Sequence, residues 1–405
     1  MSTSPASTDS QPSSAVVLAA GEGIRLRPLT ANRPKPMLPA GTRPILEHVL
    51  NALIDAAVDD IHLVVGYQAN RVRSHFGPTY REVPITYHTQ ANQLGSGHAL
   101  LQAQDGPDGS FLLVNGDQII DHRIVEAVGD AHADTATVAV VEGPEAVDYG
   151  AVTLEGEEIT ELVEQPASGE FRLFNAGVYA FTQQIFETLE TLSVERGELP
   201  LSDAIQQLID GEAHTVGGVR TDHFWMDATH PWDLLSLSRE LLARGWVDAP
   251  AIGDDVYVDA AAHVHPEATL VGPVVIDSDA VIEAGAVVGP YAAIGASATV
   301  GSGSVLRDVV VDTDTVIGPN TTAIDLVAGQ GCAVGAGLTA GGGPAEVVLG
   351  DDVYSDVDLG GVVADRVEIG GGATLEPGAL IGPDATVGAG VVVDGCIDAG
   401  SEVVR

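Results

Sequence analysis

Lysine is all but missing from this chain: sixteen arginines stand beside a single lysine, Lys35. Basic residues as a whole are scarce, 17 against 58 Asp and Glu, for a formal net charge of −41. A surface that acidic leaves no basic patch for a phosphate backbone, which argues against nucleic acid as a partner. No run of about 18 or more apolar residues occurs, so no membrane span is expected. The opening stretch, Met1 to Ser14, lacks both a basic start and an apolar core, which excludes a secretory signal. Rich in Ser, Thr and Pro, it is expected to be a disordered tail. Cysteine is limited to Cys332 and Cys396, which fit no metal-ligand spacing and suit a reducing cytoplasm.

Apolar residues, in contrast, are plentiful: 45% of the chain is hydrophobic and regularly patterned, so this acidic sequence folds. The acids are spread through both halves. That distribution suggests a salt-rich cytoplasm, where screening tames self-repulsion.

The first half alternates short apolar runs with helical patterns. Ala15-Val-Val-Leu-Ala-Ala20, Ile61-His-Leu-Val-Val65 and Phe111-Leu-Leu-Val-Asn115 read as buried parallel strands. Pro44 to Val58 reads as a helix with Ile45, Leu46, Val49, Leu50, Leu53 and Ile54 on one face. The alternation predicts an open, Rossmann-like α/β sheet, in which ligands sit at the carboxyl ends of the strands. Gly21 and Asn115-Gly-Asp117 both lie there. Two glycines in Gly21-Glu-Gly23 let backbone approach a phosphate chain, and Arg25 adds a planar cation. Neither Rossmann nor Walker glycine spacing is present.

The longer string Leu18-Ala-Ala-Gly-Glu-Gly-Ile-Arg-Leu-Arg-Pro-Leu-Thr30, followed by Arg33-Pro-Lys-Pro-Met-Leu-Pro39, closely resembles the signature of sugar-1-phosphate nucleotidyltransferases. The resemblance implies that Leu18, Ala20, Gly21 and Gly23 contact the nucleotide, with Arg25 and Lys35 on its phosphates. Gln93-Leu-Gly-Ser-Gly-His-Ala99 is similar to the base-reading loop of N-acetylglucosamine-1-phosphate uridylyltransferases, which implies Gln93, Gly95 and Ser96 at the base. His98 is expected to be structural. Asn115-Gly-Asp117 and Phe224-Trp-Met-Asp227 resemble the family's metal stations, implying Mg²⁺ on Asp117 and Asp227; Asp233 reads as a surface or helix-start residue. Asp148-Tyr-Gly150, Glu164-Gln-Pro166 and Asn175-Ala-Gly177 follow in the order of the sugar-binding stations, which implies Gly150, Glu164 and Asn175 at the sugar.

After about Val247 helical periodicity disappears. Every sixth residue from Ile252 is aliphatic: Val258, Val264, Leu270, Ile276, Ile282, Val288, Ile294, Val300 and Leu306. The rhythm slips by one near Val311 and Ile317, then resumes at Ile369, Leu375, Ile381, Val387 and Val393. Six residues per face and three faces per turn predict a left-handed parallel β-helix, whose stacked coils bury one aliphatic column. This half resembles hexapeptide-repeat acyltransferases, a likeness that implies a homotrimer.

The expected plan is a tail over 1–14, a nucleotidyltransferase domain over 15–235, a linker helix over 236–250 and a β-helix over 251–401. The implied reaction joins UTP or dTTP to a sugar 1-phosphate, N-acetylglucosamine 1-phosphate or glucose 1-phosphate, with release of pyrophosphate. Two alternatives stand beside it. One adds acetylation of glucosamine 1-phosphate from acetyl-CoA; against it, Pro319 stands where that family's histidine would fall, and the only solenoid histidines are His263 and His265. The other is an inactive sensing or scaffold subunit, but such partners lose the Arg/Lys pair or a metal carboxylate, and Arg25, Lys35, Asp117 and Asp227 are all present.

Overall fold

The computed structural model describes residues 11–132, 135–143, 149–164, 171–193, 197–211 and 214–404. The chain forms two compact units. One gathers the chain up to Gly21 with Leu46–Met226; the other gathers Glu22–Ile45 with everything from Asp227 onward.

In the first unit the apolar runs are central strands. Ser14–Ala19 pairs in parallel with Asp60–Val65 on one side and with Phe111–Asn115 on the other. Val83–Thr89 extends the parallel set, and Leu173–Phe181 joins antiparallel to both Phe111–Asn115 and Ala136–Glu142. Among the described residues this makes a ten-stranded sheet, mixed rather than wholly parallel. Val16, Val17, Leu63, Val64, Leu113 and Val114 are fully buried, as strands covered on both faces require. The helix expected over Pro44 to Val58 runs Ile45–Asp55, with Ile45, Leu46, Val49, Leu50 and Leu53 buried. Of the expected tail, residues 1–10 lie outside the described residues; Ser14 already belongs to the first strand and is 9% exposed.

In the second unit the hexad positions end short strands that stack coil upon coil. One face runs through Val258, Ile276, Ile294, Val311, Ala328, Val363 and Ile381. A second face runs through Val264, Ile282, Val300, Ile317, Val334, Ile369 and Val387. The third holds Leu270, Val288, Leu306, Ala323, Ala340, Leu375 and Val393. Their side chains form one continuous core, the column expected of a left-handed parallel β-helix. Ile252 is the exception: it stands before the first full coil and is 65% exposed. Strands continue to Glu402–Val403, just past the expected end.

The slip in the repeat has a location. From Leu306 to Val311, and again from Ala323 to Ala328, the chain turns the same corner in five residues instead of six, with Asp308 and Asp325 in left-handed conformation there. In the next coil that corner carries an inserted hairpin, Pro344–Leu349 with Asp352–Asp358. The helix Asp233–Arg244 lies on this edge. Arg239 donates through Nε to Asp308 at 2.7 Å and through an Nη to Asp325 at 2.9 Å. Leu242 of the same helix packs on Val275 and Ala293, the outward residues of the first face.

Cys332 is buried and Cys396 exposed, and both are free thiols. Burial pushes the Cys332 thiol up to about 12.

Candidate functional site

In the first unit two expected stations meet at the carboxyl ends of neighbouring parallel strands. Leu18 is register partner to Asn115, and the Gly116 amide donates to the Leu18 carbonyl at 2.8 Å. A Cβ on Gly116 would stand 2.9 Å from that oxygen, so glycine is needed for the strand ends to lie this close. Gly21 is exposed, with nothing within 4 Å of where a Cβ would project, and Asp117 is half-buried. Ala20 is buried, and its carbonyl accepts from Gln93 Nε2 at 3.3 Å.

Of the expected 93–99 loop, Ser96 onward opens the helix Ser96–Leu101, and Gln93 and Ser96 are exposed. Gly95 has φ +92°, and a Cβ there would meet the Leu199 carbonyl oxygen at 2.7 Å. His98 is fastened from behind, with its Nδ1 3.0 Å from the Gln90 amide, in keeping with a structural role.

Gly150, Glu164 and Asn175 come together. Gly150 is register partner to Glu164, and a Cβ on Gly150 would lie 3.4 Å from Glu164 Oε1 and 3.7 Å from Asn175 Cβ. Neighbouring protein raises the Glu164 pKa by desolvation. Asn175 is held rigidly: its amide donates to the Tyr179 hydroxyl at 2.7 Å, and its oxygen accepts from the Gly177 amide at 3.0 Å. Burial raises the Tyr179 phenol well above its ordinary range. Asp148, Gln165 and Pro166, quoted with these stations, lie outside the described residues.

Sequence reasoning missed the wall beside them. Tyr149 stacks on Phe174 with ring centroids 5.1 Å apart, and Trp225 meets both rings edge-on. The Trp225 indole donates to Gln118 Oε1 at 3.0 Å and to the Ala176 carbonyl at 2.7 Å. Gln118 is 2% exposed and donates in turn to the Gly177 carbonyl. The glutamine directly after Asn115-Gly-Asp117 was the available signal.

The second unit holds the remaining stations. Gly23, at φ +69°, lies under Lys35: a Cβ there would stand 2.7 Å from Lys35 Cβ. Thr30 closes this turn by donating to the Gly23 carbonyl at 2.8 Å. Arg25 is exposed on the 3₁₀ turn Ile24–Leu26. Lys35 is 9% exposed, and its Nζ lies 3.5 Å from Asp227 Oδ2. Asp233 shapes the turn after Asp227 by accepting from the Thr229 and His230 amides at 2.8 and 2.6 Å, and it opens the following helix. Asp227 Oδ1 accepts from the Thr229 hydroxyl at 3.4 Å.

No His, Cys, Asp or Glu cluster of three or more able to cage a metal occurs among the described residues. Mg²⁺ rarely uses such cages. It takes one or two carboxylates and fills its shell with water and substrate phosphates, a mode that single carboxylates such as Asp117 and Asp227 fit. No helix among the described residues is long and apolar enough to cross a membrane.

A family model described as nucleotidyl transferase matches residues 14–244. Bifunctional protein GlmU of Methanococcus maripaludis (strain C7) is 37% identical over 421 residues, covering 96% of this chain and 97% of that one. Bifunctional protein GlmU of Methanococcus aeolicus is 37% identical over 262 residues, 64% of this chain but 62% of that relative's length, so this match spans less than two thirds of it. UTP–glucose-1-phosphate uridylyltransferase AglF of Haloferax volcanii is 39% identical over 225 residues, 54% of this chain and 92% of that one. Among solved structures, a Bacillus anthracis chain designated a glucose-1-phosphate thymidylyltransferase superposes with TM-score 0.52 at 24% identity, over 59% of this chain and 97% of that one. That last likeness is one of fold.

Proposed function

Because this chain belongs to the nucleotidyl transferase family, we propose that it transfers a nucleoside monophosphate from UTP, or dTTP, to a sugar 1-phosphate and releases pyrophosphate. The sugar in this reading is N-acetylglucosamine 1-phosphate, from the resemblance of the Gln93–Ala99 segment to N-acetylglucosamine-1-phosphate uridylyltransferases, or glucose 1-phosphate, for which the Haloferax relative is named. One observation carries the reading: the only lysine of a 405-residue chain is set against the carboxylate of the late motif, 3.5 Å away.

The chemistry asks for no covalent protein intermediate. A sugar phosphate oxygen attacks the α-phosphorus in line and pyrophosphate departs. Two polyanions must be brought together and the charge on the leaving group stabilised, so positioning and electrostatics do the catalysis. Lys35 and Arg25 offset phosphate charge in this reading, and backbone at Gly21 and Gly23 lies against the triphosphate. Gln93, Gly95 and Ser96 read the base, while Gly150, Glu164 and Asn175 hold the sugar. Mg²⁺, with Asp117 and Asp227 as its carboxylates, would supply further neutralisation of the phosphates. A homotrimer built through the β-helix and a salt-rich working environment belong to the same proposal.

The full-length relative is named bifunctional, and the resemblance of the solenoid to hexapeptide-repeat acyltransferases gives a second reading, in which the β-helix also carries an acetyl transfer. The residues weigh the other way. Pro319 follows the strand Val316–Ile317 where a histidine base would be needed, and His263 and His265 belong to an early coil. Release of CoA from acetyl-CoA with glucosamine 1-phosphate would establish that second activity.

The primary test is pyrophosphate release in high KCl with Mg²⁺, over a grid of sugar 1-phosphates and the two pyrimidine triphosphates. One clearly preferred pair is expected. Silence over the grid from folded protein would remove the reading.

A further inference from the structure

The Glu22–Ile45 segment shares a compact unit with the β-helix, and Arg33 ties it to the coils. Arg33 is 4% exposed. One Nη donates to Asp312 Oδ2 at 2.6 Å, and the other lies 3.0 Å from Asp365 Oδ1. Asp312 is 9% and Asp365 1% exposed. These carboxylates come from coils separated by one other: the strand ending at Val311 pairs with the one ending at Ala328, which pairs with the one ending at Val363. The intervening coil makes room with Gly329, where a Cβ would stand 2.7 Å from Asp365 Oδ1. Beside Arg33, Asn32 donates to Asp384 of a later coil at 3.3 Å.

A buried ion pair is seldom a net gain over apolar packing, because both charges lose their water. What it does give is a fixed place. Arg33 is followed by Pro34, Lys35 and Pro36, and the prolines restrict the backbone on both sides of the lysine. Pro34 has φ −75° and Lys35 opens the 3₁₀ turn Lys35–Met37. Fixing the guanidinium therefore fixes the Lys35 backbone two residues on, and with it the amine facing Asp227.

We propose that Arg33 is a positioning residue through which the β-helix holds Lys35 in place, which makes the repeat array part of the transferase machinery. The inference rests on the reading of Lys35 as the phosphate-neutralising amine. Asp312 and Asp365 carry no chemistry in that reading, so they are the informative positions to change.

The test compares Arg33→Gln, Asp312→Asn and Asp365→Asn with Arg239→Gln, which breaks the bridge between the helix Asp233–Arg244 and the coils, all in the full chain. Two readouts are taken. The first is steady-state pyrophosphate release. The second is the ¹³C signal of reductively methylated Lys35, which the chain's single lysine makes unambiguous once the terminal amine is assigned. The expected result is a fall in kcat of at least tenfold in the Arg33 and Asp365 variants, a KM for sugar 1-phosphate within twofold, and a displaced or broadened Lys35 signal. Arg239→Gln should change the melting temperature and neither readout.

Unchanged kcat per folded molecule together with an unmoved signal would overturn the proposal. Should Arg33→Gln not fold, Asp365→Asn decides the matter, since it frees one Nη of the guanidinium: unchanged kcat and an unmoved Lys35 signal in that variant would overturn the proposal, and Asp312→Asn is expected to shift both readouts in the same direction. If the wild-type chain releases no pyrophosphate, the transferase reading fails, and the Lys35 signal alone then judges the coupling between coil and lysine.

Discussion

Lys35 Nζ and Asp227 Oδ2 lie 3.5 Å apart, both on side chains largely withdrawn from water. Each charge keeps the other compensated in the absence of phosphates, so neither must be desolvated alone. In a chain of net charge −41 a cation placed there offsets a negative local field. Asp227→Asn and Lys35→Met are expected to lower kcat by about 10²–10³-fold, the range seen when one electrostatic stabiliser of a transition state is removed. Asp117→Asn should do the same. Melting temperatures should shift by a few degrees only. Turnover unchanged in all three variants would remove the assignment.

Asp121 is 3% exposed, and its side chain caps the helix His122–Ala131 by accepting from the Arg123 amide at 2.9 Å. The Arg123 guanidinium bonds the same carboxylate, and these hydrogen bonds hold its pKa down at about 2 against an ordinary 3.8. A depressed carboxyl contributes stability that is complete above its unfolded pKa and lost as pH falls through its folded one. Asp121→Ala should therefore be destabilised at neutral pH by about 1 kcal/mol, the usual loss for an N-cap. The gap between wild type and variant should close from about pH 4 to about pH 2. Denaturant titrations at several pH values would measure it, and a gap constant down to pH 2 would contradict the assignment.

Much of this was legible beforehand, for reasons that differ by region. The β-helix could be read because each hexad position faces the same core, so Ile276, Ile294 and Val300 are aliphatic for a single physical reason. The strand ends at Gly21 and Asp117 could be read because apolar runs stop there. Long-range ion pairs could not: nothing in the spacing of Arg33, Asp312 and Asp365 says that a guanidinium bridges two coils. The attachment of Glu22–Ile45 to the second unit was hidden for the same reason. The aromatic wall of Tyr149, Phe174 and Trp225 draws on three separate segments, and no local pattern marks it.

Acidity on this scale makes a prediction about salt. Carboxylates recur at left-handed corners of the coils, at Asp279 and Asp314 on one edge and at Asp308 and Asp325 on another, adding to the self-repulsion of the chain. Desolvation and acidic neighbours raise the Asp325 pKa, against the opposing pull of Arg239. Screening at about 1 M salt shortens the Debye length to about 3 Å and removes most of that repulsion between exposed groups. Melting temperature and activity should both rise from low KCl to molar KCl. A melting temperature flat across that range would show that the repulsion is already balanced within the fold.

The short corner of the β-helix seats the helix Asp233–Arg244. Two successive coils turn from Leu306 to Val311 and from Ala323 to Ala328 in five residues, and both corners present an aspartate to Arg239. A sixth residue would push the corner outward, with the carboxylates no longer at bonding distance from one guanidinium. Arg239 keeps about a third of its side chain in solvent, so its removal should cost about 1–3 kcal/mol, less than a fully buried pair. Inserting one alanine between Asp308 and Val309 restores the regular rhythm and should cost more, because it displaces the helix Asp233–Arg244 as well as the ion pair. Stability equal to wild type after insertion would mean that the slip is an accident of the repeat. A loss exceeding that of Arg239→Gln would show that the irregularity holds the helix on the coils.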